Sequence, residues 1–191
     1  MENNDRPLEQ PIGAREDLPS FSITKETPIG HVLRLGKECE KCGHCCSYGS
    51  CYFLSEDIDR ISSRLGIPKE EFIKEHLDEN IAFNTKVHKA KTNKKPGMPY
   101  GECVFFDKDE GCTIHDIKPL HGRVGKGCGE HGQELSIWFM LNYLVNPADP
   151  ESIRQWAVYL KTHPTIPGGE LEQLVKDKEL LRKIISYEKL R

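Results

Sequence analysis

The stretch CEKCGHCCSYGSC, Cys39 to Cys51, places five thiols in thirteen residues and offers almost no apolar side chain to bury. The hydrophobic effect cannot organise such a segment, because burial has to outweigh the chain entropy lost on folding. Disulfides, a metal ion or an iron–sulfur cluster must hold it in one shape. Thiols packed this closely along one piece of backbone seldom reach disulfide geometry with one another. The opening residues, MENNDRPLEQPIGARED, contain no apolar core of a secretory signal, and no apolar run approaches the ~20 residues of a membrane span. The expectation is therefore a cytoplasmic chain in a reducing compartment, where cysteines read as ligands or reactive thiols.

Three more cysteines follow, so the full pattern is Cys39-x2-Cys42-x2-Cys45-Cys46-x4-Cys51 and then Cys103-x8-Cys112-x15-Cys128. A C-x2-C step turns two thiolates toward one centre, with Gly43 relaxing the backbone between ligands, and suits zinc and iron–sulfur chemistry alike. The successive steps resemble the ligand runs of bacterial ferredoxins. Adjacent Cys45 and Cys46 tend to point in different directions. They serve two centres, or one ligates and the other packs, or a multi-iron cluster accepts both at different irons. One tetrahedral zinc would leave at least four of the eight thiols unused, so the count favours a cluster with extra thiols or two zinc sites. Inert core cysteines fit poorly, because Lys41, His44, Ser47, Tyr48 and Ser50 make the surroundings polar.

Other side chains are weaker candidates. His44 lies between ligands and is expected to face solvent. His115 and His121 flank the third thiol segment as ligands or supporting donors, Asp116 can orient His115, and Arg123 can donate to sulfur or to an anion. No phosphate-binding loop and no Ser/His/Asp arrangement is present; the glycines of VGKGCGEHG lack a preceding strand.

At 191 residues the chain is expected to form one main domain. Residues 1–30 read as an extended or disordered arm, dispensable for metal. Residues 31–130 form the cysteine-cluster domain, and 131–191 a helical segment packed on it. HVLRLG (His31 to Gly36) reads as a short strand. Ser55 caps a helix with Ile58, Ile61 and Leu65 on one face, ended by Gly66, and Pro68 begins a second with Phe72, Ile73 and Leu77. Lys86, Lys89, Lys91, Lys94 and Lys95 mark a solvated hairpin or loop. CVFFD is a strand, DKDEG a tight turn, and CTIHDIKP a strand or helical turn stopped by Pro119. Three helices follow: one through Leu135, Trp138, Phe139 and Leu141, one from Asp149-Pro150, and one through Leu171, Leu174, Leu181, Ile184 and Ile185. The net charge of −3 gives no global argument for nucleic acid.

CEKCGHCC with FLSEDIDRIS and GECVFFDKDEGCTIHDIKPLHGR resembles the YkgJ-type cysteine-cluster family, a zinc- or iron-chelating domain with a CxxCxxCC signature. The resemblance covers about Cys39 to Gly129, and flagellin lysine N-methylases carry a related cluster. It implies that Cys39, Cys42, Cys45 and Cys46 are the signature thiols, joined by Cys103, Cys112 and Cys128. Where that family usually has a further cysteine before Arg123, this chain has Gly122, and Cys51 or His121 stands as the substitute. The fold expected is α+β, a small cysteine-rich metal-binding domain of short strands and loops followed by three C-terminal helices. The function expected is binding of a [4Fe–4S]-type iron–sulfur cluster for redox, sensing or accessory use. A zinc-binding structural or protein-interaction module and a cluster-dependent N-methylase-like enzyme are the alternatives. A protein partner is open; membrane and nucleic acid are not expected.

Overall fold

Pro28, at φ −61° and ψ 140°, ends an extended lead-in and starts α1 (Ile29–Leu35). The structure is a computed structural model that describes residues 22–36, 42–124 and 129–188. Cys39 and Cys128 lie outside the described residues. The strand expected at 31–36 is thus a helix. Its apolar residues serve one face, with only Val32 fully buried, and Pro28 supplies the helical start.

The cysteine region is built from short pieces. Helix α2 (His44–Tyr48) is followed by β1 (Tyr52–Phe53), then by α3 (Ser55–Leu65) and α4 (Lys69–His76). Gly66, at φ 68°, ends α3 as the sequence predicts. Ser55 does not cap it; the Leu54 N–H donates to the Asp57 carboxylate at 3.3 Å instead. Ile58 and Ile61 are buried, whereas Leu65 is exposed.

Strands β2 (Leu77–Ala82) and β3 (Thr85–Ala90) form the lysine-rich hairpin, and β1 completes an antiparallel sheet in the order β1-β3-β2. Asp78 stands opposite Lys89, and Glu79 opposite His88, so acidic residues answer part of the basic strand. The two residues at the tip, Phe83 and Asn84, are left-handed at φ 49° and 58°. A bulky residue stays there only when its surroundings hold it. The Phe83 ring meets Trp156 at 5.4 Å and Tyr159 at 5.9 Å edge-on, and Asn84 bonds to Gln155 and Asp149.

Strand β4 (Thr92–Lys94) pairs with β5 (Gly101–Cys103), and β6 (Phe106–Asp107) with β7 (Gly111–Cys112). The expected CVFFD strand is therefore split by a turn at 104–105. A 3-10 turn (His115–Ile117) leads through Pro119 into α5 (Leu120–Arg123).

Helices α6 (Gly132–Tyr143) and α7 (Pro150–Tyr159) follow, the latter capped by Asp149 with Pro150 in its first turn. The last expected helix is two, α8 (Leu171–Leu174) and α9 (Lys178–Ile185). The Asp177 side chain caps a fresh start by accepting from Glu179 and Leu180 N–H. No described helix is long and apolar enough to cross a membrane.

Two apolar clusters result. The larger joins the C-terminal helices to Ile23, Val32, Val87, Leu120 and Val124. Part of the expected arm is anchored to it: Ile23 is fully buried in the cluster, and the Trp138 indole donates to the Thr27 carbonyl at 3.0 Å. The smaller cluster centres on Phe53, Phe72 and Phe105, whose rings stand 6.0–6.1 Å apart, and Cys46, Cys51 and Cys112 pack against it.

Candidate metal centre

Four separate segments bring thiols to the edge of this aromatic cluster. Gly43, left-handed at φ 73°, precedes α2, and a Cβ there would lie 2.7 Å from the Phe106 ring; only glycine makes this turn. The Gly43 carbonyl accepts from Ser47 N–H and Oγ–H at 2.9 and 3.0 Å, fixing the turn that carries Cys45 and Cys46. Their sulfurs are 3.9 Å apart. Cys51 enters from the start of β1, its carbonyl accepting from Ala90 N–H on β3 at 3.1 Å. Cys103 closes β5, and Cys112 sits on β7 opposite Phe106.

All six described cysteines, Cys42, Cys45, Cys46, Cys51, Cys103 and Cys112, line one cavity of about 70 Å³. Phe53, Phe105, Ala90 and Ile114 give it an apolar floor. Two sulfur contacts are close, Cys45 with Cys46 and Cys46 with Cys112; among the described residues, no three His, Cys, Asp or Glu side chains are gathered closely enough to hold a single ion. Without metal, the Cys46 thiol is pushed up to about 11, first by its hydrogen bond to Cys112. Cys112 is lowered by the same bond, in which the Cys46 thiol donates and the Cys112 sulfur accepts.

The histidines separate clearly. His44 is exposed on the outer face of α2, against Tyr48 at 5.3 Å, and does not line the cavity. His121 is buried between Tyr52 and Phe139, and its Nδ1 accepts the Tyr52 N–H at 3.1 Å. That bond occupies one ring nitrogen and leaves the proton on the other, so His121 braces the core and does not replace a ligand. His115 does line the cavity, with its Nδ1 3.4 Å from exposed Asp116. Arg123 is exposed.

Gly122 faces the cavity too. A Cβ built on it would meet Cys51 Sγ at 3.0 Å, so the Cys51 sulfur fills the place toward which a side chain at 122 would point.

The brace behind the cavity was not read as functional in the sequence. The buried Asp57 carboxylate accepts the Leu120 N–H at 3.0 Å with both oxygens, the Leu54 N–H, and Arg60 at 2.8 Å. Arg60 in turn donates to the carbonyls of Ile117 and Lys118 at 2.9 and 3.0 Å. These two side chains fasten the 115–122 segment to α3. The spacing D-x-x-R signals only a local helical pair.

No curated protein and no solved structure matches the chain. A family model described as "CxxCxxCC: Putative zinc- or iron-chelating domain" matches residues 38–136, just over half of the sequence. The matched span holds all eight cysteines and every described wall of the cavity except Gly36. With its thiols gathered around one cavity, the chain belongs to the CxxCxxCC family of zinc- or iron-chelating domains.

Proposed function

We propose that this metal-binding chain holds an iron–sulfur cluster of the [4Fe–4S] type through cysteine thiolates, for redox, sensing or accessory use in the reducing cytosol. The observation that carries the reading is the cavity of about 70 Å³ ringed by six thiols from four segments. A single water needs only about 10–15 Å³ of such space, so the room exceeds what one ion fills. A zinc ion asks four donors to meet about 2.3 Å from one point, whereas a cluster presents separate irons to separate sulfurs. The room, and six thiols where one zinc takes four donors, favour the cluster.

Cys42, Cys45, Cys46, Cys51, Cys103 and Cys112 are the described residues that would hold the group, with Cys39 and Cys128 as further candidates. Such a cluster supplies one-electron chemistry. The chain's own part is to hold the sulfurs and to keep water from the floor with Phe53, Phe105 and Ile114.

Anaerobic purification followed by metal analysis tests this. The expected product is brown, absorbs broadly in the visible and carries several irons per chain. Colourless protein with one or two zinc ions and no iron overturns the cluster and makes the site a zinc module.

A further inference from the structure

Among the described residues that line the thiol cavity, one is a lysine or arginine: Lys118. The others are thiols, glycines, apolar groups, Ser50 and His115. The Lys118 backbone is fixed, since its carbonyl accepts from Arg60 at 3.0 Å. Its stem passes the place where a side chain at Gly122 would begin, with Cδ and Cβ 3.5 and 3.6 Å from that point; Cys51 Sγ is 3.0 Å from the same point. Its Nζ lies 3.4 Å from His115 Nε2. Lysine has only protons to donate, so Nε2 accepts and the His115 proton sits on Nδ1, toward Asp116. His115 is thereby a rest for the ammonium rather than a ligand.

Several thiolates beside an apolar floor repel one another and are poorly solvated, so an adjacent cation is worth far more than on open surface. We propose that Lys118 is the counter-charge of the thiol site. Its ammonium, steadied by His115, tightens the hold on bound metal and raises the reduction potential, because the more negative reduced state gains most from it. This rests on the metal-binding function proposed above. Lys118 acts through the sulfurs, as a positioning and tuning residue.

The experiment compares the full-length protein with Lys118→Met, Lys118→Gln and Lys118→Arg, each loaded anaerobically and checked for fold by circular dichroism. Voltammetry reads the potential, and competition with a chelator reads how tightly metal is held. Lys118→Met is expected to lower the potential and to weaken metal retention about tenfold, the scale of one partly shielded charge interaction. Lys118→Arg should return both toward the parent. Lys118→Gln keeps a donor for His115 without charge and should behave as Lys118→Met. Parental potential and retention in Lys118→Met overturn the proposal, and so does rescue by Lys118→Gln. If the parent binds zinc alone, the cluster reading falls, and chelator competition with zinc decides the role of Lys118 by itself.

Discussion

A Cβ added at Gly122 would stand 3.0 Å from the sulfur of Cys51, closer than such atoms ordinarily approach. Gly122→Ala should therefore cost about 1 kcal/mol by crowding that sulfur, despite alanine's better fit to a helix. A cysteine at 122 would send its own sulfur into the same part of the cavity. Cys51→Ala is expected to lose metal, and adding Gly122→Cys should restore a measurable share of it. A folded double variant with no more metal than Cys51→Ala would mean that the two positions are not interchangeable. Asp57 offers a second test. Asp57→Ala leaves the Leu120 and Leu54 N–H groups unsatisfied and should cost about 3 kcal/mol in a thermal or urea melt. Asp57→Asn, still able to accept, should cost less. The thiols were legible as candidates because their spacing can be read directly, and the structure brings six of them to one cavity. The bracing roles of Asp57 and His121 were not, because their partners at Leu120 and Tyr52 lie 63 and 69 residues away and only the folded chain brings them together.

Secondary elements divide in the same way. Gly66 and the Asp149-Pro150 pair mark helix boundaries locally, and the structure places those boundaries there. For His31 to Gly36 the apolar alternation looked like a strand, while Pro28 held the signal that mattered. In the final helical stretch, apolar residues at helical spacing ran through Asp177 and hid the cap that breaks it in two. The hairpin tip is harder still, because Phe83-Asn84 lacks the glycine that usually marks such a turn. It is held in place by α7 instead. Phe83→Ala should cost about 2 kcal/mol through lost ring contacts, seen as a lower melting temperature. A melt unchanged from the parent would show that α7 does not hold the turn.

Across the molecule, the metal region and the terminal helices share the larger apolar cluster through Val87, Leu120 and Val124. The N-terminal residues join it as well. Removing residues 1–21 should leave metal content and melting unchanged. Extending the cut through Pro28 removes fully buried Ile23 and the carbonyl that receives the Trp138 indole N–H. That should cost about 3 kcal/mol; equal melting of the two truncations would contradict it.

Strand β3 links the two ends of this arrangement. Its last residue, Ala90, is hydrogen-bonded to Cys51 at the cavity, and its other end leaves the tip that rests on Trp156. Six residues of strand span about 17 Å, so a stiff rod runs from the sulfurs to a buried indole. Trp156 is then a built-in optical gauge: filling or emptying the distant cavity should change its fluorescence, with no label attached.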